Sequence, residues 1–302
     1  MNEQEQTVST TMAPEAKPIK IGKFRASKSI VKASMAVLMK DKEIMGYTIM
    51  SSIITTILAV MFYFIVIENS SMVDPATGVG DIKSQILYYG GLFIFYVLTL
   101  FVVNFYQAAL FIVVQARFTG GDLNYKDGLS GASKKFYKIL VWSIISSTVG
   151  LILRLISDKF KLVGRIVASI FGAAWNILTY FSLPSLVISN LSVKDSFKQS
   201  AATIRKTWGE TIIVNFGAGL VFIAMFVALF TFCVILLVIF PWPVAFFPVA
   251  ILFGISVVVL SVVYSTLNSI FKLVIFNYAT TGNIPEGFSK EVVTGAIQGK
   301  AK

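Results

Sequence analysis

Histidine is absent from the 302 residues, and Cys233 is the single cysteine. Without histidine, the chain lacks the commonest metal ligand and the side chain that serves most often as a general base near neutral pH. One cysteine can form neither an internal disulfide nor a thiolate metal site within one chain. These absences exclude much familiar enzyme chemistry, and we expect neither a cofactor nor a bound metal.

Charged residues are also scarce, at 14% of the chain, whereas apolar residues make up 56%. Soluble domains contain about a quarter charged residues and about half apolar ones. Apolar runs recur throughout the chain after residue 43, so no polar stretch is long enough to form a soluble core. The composition predicts a single membrane domain over residues 23–302, after a polar tail, residues 1–22, that is expected to be disordered and cytoplasmic.

A spanning helix needs about 20 mostly apolar residues. Six apolar runs are candidate spans: five are easily long enough, and the third, residues 139–156, is short. Backbone amides find no water in hydrocarbon, so the runs should be helices, and the alternating pattern of a membrane β-barrel is absent. The sequence therefore predicts an all-α membrane bundle of about six helices in three hairpins. The predicted spans are residues 44–67, 86–114, 139–156, 163–189, 212–240 and 244–279.

The basic residues between these runs predict the orientation of the chain. Eight lysines and arginines precede the first run, one lies in the first loop, five in the second, four in the fourth and none in the fifth. This alternation accounts for the formal charge of +11 without nucleic acid, and it favours cytoplasmic N and C termini in a prokaryotic plasma membrane.

Four cations around the third loop fit that orientation poorly, because three crossings would place them outside. Their side chains either snorkel to the headgroups, or the hairpin over residues 139–189 does not fully cross the bilayer. The four are Arg154, Lys159, Lys161 and Arg165.

A helix-capping pattern recurs in three segments that are predicted to lie on the cytoplasmic side. Each has a capping residue, an acid three positions later and a large apolar residue two positions further, over residues 124–129, 192–197 and 283–288. The cap accepts from backbone amides, and the acid lies near the positive end of the helix. With an amphipathic segment before the first span, this predicts interfacial helices at residues 24–43, 124–138, 192–208 and 284–297.

Clustered cations on these helices make membrane lipids the expected partners, with anionic headgroups as candidate ligands. Attraction to an anionic surface contributes about 1 kcal/mol per basic residue. The alternative is that the helices only connect the spans. The candidate headgroup contacts are Lys134, Lys135, Lys194, Lys198, Arg205 and Lys206.

Polar side chains inside the predicted spans form a second set of candidates, because they are costly in lipid unless they are paired or face water. Hydrogen bonds between helices would account for the neutral amides, whereas a charged lysine is harder to explain in this way. The candidate intramembrane polar site is Asn104, Gln107, Asn176, Asn268 and Lys272.

Several short segments together resemble an uncharacterised family of bacterial and archaeal multi-span membrane proteins. They include Phe105 to Ala109, Gly150 to Arg154, Trp175 with Asn176, and Arg205 to Glu210, whose Trp208-Gly209-Glu210 element is the most specific. A looser similarity is to the membrane domain attached to some glycerophosphodiester phosphodiesterases, although we expect no catalytic domain here. The resemblance implies an architecture and leaves the function open.

The expected function is therefore a non-enzymatic one, in membrane organisation or lipid interaction. The alternative is a small-solute transporter or channel subunit with a polar pathway near Lys272. An intramembrane hydrolase would need a pair of acids that the predicted spans do not contain.

Overall fold

The computed structural model describes residues 23–68, 82–208, 217–240, 246–285 and 288, and no strand occurs among them. The helices are α1 (Lys23–Lys40), α2 (Ile44–Phe62, continued by a π-helical turn, Tyr63–Ile67), α3 (Ile82–Phe118), α4 (Tyr125–Ser133), α5 (Phe136–Lys159), α6 (Lys161–Leu178), α7 (Ser182–Val187), α8 (Val193–Trp208), α9 (Gly217–Ile239) and α10 (Phe246–Thr281).

Six segments among the described residues are long and apolar enough to cross a membrane, which confirms the predicted all-α membrane bundle. Consecutive pairs pack together as α2 with α3, α5 with α6, and α9 with α10. The segments are Ile44–Val66, Ile82–Phe118, Phe136–Lys159, Leu162–Val187, Phe222–Ile239 and Phe246–Thr281. The predicted tail, residues 1–22, and all but three residues of the predicted last interfacial helix, residues 284–297, lie outside the described part of the chain.

Two predicted elements are divided differently in the structure. The predicted interfacial helix over residues 124–138 ends at Ser133, and α5 begins at Phe136, because Lys135 leaves the helical conformation between them. The predicted span over residues 163–189 is two helices, since α6 ends at Leu178 and α7 begins at Ser182. Pro184 lies in the first turn of α7, where its missing N–H is tolerated.

The buried core lies at the end of the bundle where α2 begins and α3 and α10 end, which we call the inner end. Residues 108–111 of α3 and residues 273–276 of α10 are almost fully buried there. Side chains toward the opposite end are largely exposed and apolar, as at Ile86 and Val238. Such a surface requires lipid around it, because water would solvate it poorly.

The two longest helices, α3 with 37 residues and α10 with 36, form the centre of this core. At 1.5 Å per residue each is about 55 Å long, which exceeds the roughly 30 Å hydrocarbon layer of a bilayer. These helices must therefore tilt or extend beyond the hydrocarbon.

The short helix α4 is held against α2 by one tyrosine pair. The rings of Tyr47 and Tyr125 stack with centroids 4.4 Å apart, and the Tyr47 hydroxyl donates to the Tyr125 carbonyl oxygen at 2.9 Å. Gly128 leaves room for this hydroxyl, because a Cβ there would meet it. The capping box of α4 forms as predicted, with Asn124 and Asp127 each accepting from the other's backbone amide.

At the inner end, Arg117 links the connection between α1 and α2 to the connection between α3 and α4. Its guanidinium donates to Asp41, between α1 and α2, at 2.8 and 3.2 Å, and it also pairs with Asp122, between α3 and α4. Further bonds reach the carbonyl oxygens of Gly121 and Leu123. The planar guanidinium supplies several donors in fixed directions, and it thereby fixes where α4 leaves α3.

Candidate functional site

A cavity of about 470 Å³ lies between α3, α5, α6, α7 and α10, in the half of the bundle toward the inner end. It brings together four of the five predicted intramembrane polar residues, Asn104, Gln107, Asn176 and Lys272. Asn268 is half-buried on α10 and does not line the cavity, although it lies one turn from Lys272. The bundle thus gathers these four side chains from three separate helices around one space.

Lys272 is the charged residue of this cavity. Its ammonium lies over the ring of Tyr180, 4.7 Å from the centroid, in a cation–π contact. Tyr180 belongs to the short connection between α6 and α7, so the break in this predicted span supplies the ring that holds the lysine. No carboxylate is among the described residues that line the cavity.

Two of the carboxamides connect helices as well as lining the cavity. Asn104 donates to the Ser143 hydroxyl at 3.0 Å, and Gln107 donates to the Ser269 hydroxyl at 3.0 Å. Bonds of this kind hold membrane helices together. These two residues therefore form the interhelical hydrogen bonds expected of neutral amides, and both also line the cavity.

Asn176 reaches the cavity from α6, whose rotation is set by stacked aromatic rings. Trp175 stacks between Trp142 of α5, with centroids 6.1 Å apart, and Phe197 of α8, at 5.8 Å. Asn176 itself is exposed, as is Gly150 on α5, and both line the cavity. The cavity therefore opens at the surface of the bundle that faces the membrane.

A second cavity, of about 140 Å³, lies on the other side of Gln107, between α2, α3 and α10. Hydroxyl groups dominate its wall, and Thr48 is bonded across it to Thr266 at 2.8 Å. Sequence reasoning did not identify this site, although Thr48, Ser52 and Thr55 recur at helical spacing on α2 and signal a polar stripe. Its hydroxyl-bearing residues are Tyr47, Thr48, Ser51, Ser52, Thr55, Tyr106, Ser265 and Ser269.

The predicted headgroup contacts lie on two elements near the inner end. Lys194, Lys198 and Arg205 are exposed on α8. Lys134 is exposed between α4 and α5, and Lys135 beside it is half-buried. The side chain of Lys206 is outside the described residues.

Lys135 and Lys138 both bind Asn190, a contact that the sequence did not suggest. Both lysine ammonium groups donate to the Asn190 side-chain oxygen. Burial, and after it the positive charge of Lys138, lowers the pKa of Lys135. Asn190 has a positive φ of 54°, a conformation that asparagine adopts more readily than most residues. This backbone signal is not visible in the sequence alone.

The model of a protein family described as a family of unknown function, DUF6159, matches residues 86–287. No curated protein and no solved structure matches the chain. The matched region contains all the residues that line the larger cavity, and those that line the second cavity except its α2 residues. The looser similarity to the membrane domain of glycerophosphodiester phosphodiesterases stays a prediction.

Proposed function

This chain belongs to the DUF6159 family of unknown function, and from its cavity we propose a non-enzymatic integral membrane protein that binds the anionic headgroup of a membrane lipid. Its expected setting is a prokaryotic plasma membrane, with both termini cytoplasmic, as the distribution of basic residues favours.

The observation that carries the proposal is the position of Lys272 in a cavity whose lining, in the part of the chain that the structure describes, contains no carboxylate. A charge at this depth is costly unless it is paired or reaches water. The Tyr180 ring compensates part of that cost from one side. An anion bound in the cavity would supply the missing opposite charge.

The remaining wall of the cavity favours an amphiphile over a fully polar ligand. Leucines, Val149 and two tryptophans supply apolar surface, while carboxamides, hydroxyls and Lys272 supply the polar part of the wall. A volume of about 470 Å³ falls in the range of small-molecule sites, which are usually apolar with a few placed polar groups. A headgroup phosphate would bind the ammonium and the Asn176 amide, and an acyl chain would lie along the apolar wall.

The absence of enzymatic activity is part of the proposal. The described wall of the cavity offers a lysine, carboxamides and hydroxyls, and it contains no carboxylate or cysteine. Acyl or phosphoryl transfer usually needs a nucleophile beside a base that is itself oriented by a third group. No such arrangement occurs among the described residues of the wall.

Lipid binding by the full chain in detergent tests this proposal. Native mass spectrometry would compare retention of phosphatidylglycerol and phosphatidylcholine by the parent protein and by Lys272→Met. We expect the variant to bind phosphatidylglycerol about tenfold more weakly, equivalent to about 1.4 kcal/mol, while Lys272→Arg retains most of the binding. Lys83→Met, which removes a charge at the start of α3, is the matched control. Equal phosphatidylglycerol retention by Lys272→Met and the parent would refute the proposal.

Passage of a small anion is a second candidate function, favoured by the position of Gln107. This side chain lines both cavities, and its bond to Ser269 separates them. A polar route across the bundle would open if that bond broke. Chloride flux in proteoliposomes that rises with Gln107→Ala and falls with Lys272→Met would support this function, and an absence of flux in every variant would exclude it.

A further inference from the structure

Two lysines converge on one neutral side chain at the inner end of the bundle. Lys135 donates from Nζ to the Asn190 Oδ1 at 2.9 Å. Lys138 donates from Nζ to the same Oδ1 at 3.1 Å and to the Asn190 carbonyl oxygen at 2.9 Å. Because both ammonium nitrogens lie within 3.1 Å of one atom, they can be no more than about 6 Å apart.

Within the described residues, neither of these two positive charges forms an ion pair with an acid. The asparagine accepts hydrogen bonds but carries no charge. The ion pairs among the described residues involve Arg117 and Arg154, and neither lysine takes part in them. Like charges at this distance repel, so the cluster is complementary to an anion.

Asn190 holds the two ammonium groups together while leaving donors for a ligand. Its left-handed backbone, with φ 54°, lets both its carbonyl and its side-chain oxygen accept from Lys138. Each ammonium has three N–H groups, and the three bonds to Asn190 use one from Lys135 and two from Lys138. Further N–H groups of both lysines therefore stay available for anion oxygens.

The cluster lies where the headgroup layer is expected. Lys135 immediately precedes the apolar segment Phe136–Lys159, and Asn190 follows the end of the segment Leu162–Val187 by three residues. Between the two lysines, Tyr137 is 74% exposed. Tyrosine at the ends of spanning helices is typical of the membrane interface, where its ring meets lipid and its hydroxyl meets headgroups.

We infer that Lys135, Lys138 and Asn190 form a second anion site, which binds the phosphate group of an anionic phospholipid at the inner membrane surface. The site extends the proposed lipid interaction, but it uses none of the contacts of the Lys272 cavity. It would bind the phosphate through the two ammonium groups, with Tyr137 beside the glycerol and upper acyl region.

The test uses the full chain in detergent, with phosphatidylglycerol and phosphatidylcholine as probes and native mass spectrometry as the readout. The double variant Lys135→Gln, Lys138→Gln should lose one bound phosphatidylglycerol, because its affinity at this site should be about tenfold weaker than in the parent. Lys40→Gln with Lys42→Gln, which removes two exposed charges near the start of α2, is the matched control and should bind as the parent does. Lys135→Arg with Lys138→Arg should retain binding, which separates loss of charge from misfolding.

Competition with inorganic phosphate tests whether the site binds a lipid headgroup or free phosphate. If a lipid is the ligand, millimolar phosphate should displace little bound phosphatidylglycerol, because the acyl chains add affinity. If phosphate binds the parent without lipid and displaces the phosphatidylglycerol completely, the lipid assignment is overturned. Equal phosphatidylglycerol binding by the parent and the double glutamine variant would overturn the site itself.

The two lipid sites can fail separately in this experiment. Two anionic lipids should bind to the parent, one lost with Lys272→Met and the other with the double glutamine variant. If the cavity proposal is wrong, Lys272→Met leaves lipid binding unchanged while the double variant still reduces it. If the surface site is wrong, the reverse pattern appears.

Discussion

The ammonium of Lys272 on α10 lies 4.7 Å from the centre of the Tyr180 ring, in the break between α6 and α7. The position of this charge thus depends on the point where a predicted single span divides. In a continuous helix, Tyr180 would keep a regular helical position. The break between α6 and α7 therefore determines where the ring that contacts Lys272 lies in the cavity.

Replacing the Tyr180 ring should disturb the site through Lys272. Tyr180→Phe keeps the aromatic face, so binding of phosphatidylglycerol should change little. Tyr180→Leu removes it, and a desolvated cation–π contact contributes about 2 kcal/mol, so we expect both stability and lipid binding to fall. Thermal unfolding in detergent and native mass spectrometry measure the two effects. Similar losses in the Phe and Leu variants would point to the hydroxyl instead.

Adding a methyl group at Gly128 should loosen α4. The new Cβ would meet the Tyr47 hydroxyl and would lie 2.8 Å from a methyl carbon of Val113. Overpacking of this kind costs about 1 to 3 kcal/mol, so Gly128→Ala should lower the free energy of unfolding in mixed micelles. Gly254→Ala is the control, because beyond its chain neighbours and the nearby backbone of its own helix, its added Cβ meets nothing within 4 Å. Equal stability of the two variants would contradict the packing described for α4.

The bond between Gln107 and Ser269 should appear as an energetic coupling between α3 and α10. A double-mutant cycle with Gln107→Leu and Ser269→Ala should give about 0.6 kcal/mol, the usual size of such bonds in membrane helices. Additive effects of the two substitutions would show that the 3.0 Å bond contributes nothing. The unfolding equilibrium in mixed micelles is the measurement.

Arg117 should not be replaceable by lysine without loss. Its guanidinium reaches Asp41, Asp122 and two carbonyl oxygens at once, which a single ammonium cannot do. We expect Arg117→Lys to lower stability by about 1.5 to 3 kcal/mol, since hydrogen bonds to charged groups contribute about that much, and Arg117→Gln to lower it further. Unfolding measured at low and high salt would show whether the effect is electrostatic. A stable lysine variant would indicate that charge alone suffices.

The pKa of Lys135 should rise when its neighbour loses its charge. Burial is the main cause that lowers this pKa, and repulsion from Lys138 adds to it. In Lys138→Gln the repulsion is gone, so the pKa of Lys135 should move upward, toward its ordinary value. NMR of the protein with isotope-labelled lysine, titrated in detergent, would measure it. An unchanged pKa would mean that burial alone is responsible.

Composition and periodicity predicted the architecture because they show whether each segment is stable in lipid or in water. The apolar runs predict helices wherever about 20 residues must satisfy their amides without water, and all six appear. The cap at Asn124 was predictable in the same way, since its bonds to Asp127 close within three residues.

Which residues line each site depended on contacts between distant segments, and a local sequence pattern does not show these. Periodicity placed Asn268 and Lys272 on one face of α10, yet the cavity includes Lys272 and leaves Asn268 out. Gln107 meets Ser269 across 162 residues of chain. The sequence by itself determined the helices and their polar faces, because each follows from spacing along one segment. The tertiary structure decided which faces meet, because packing sets each helix's rotation and depth only when the whole bundle has assembled.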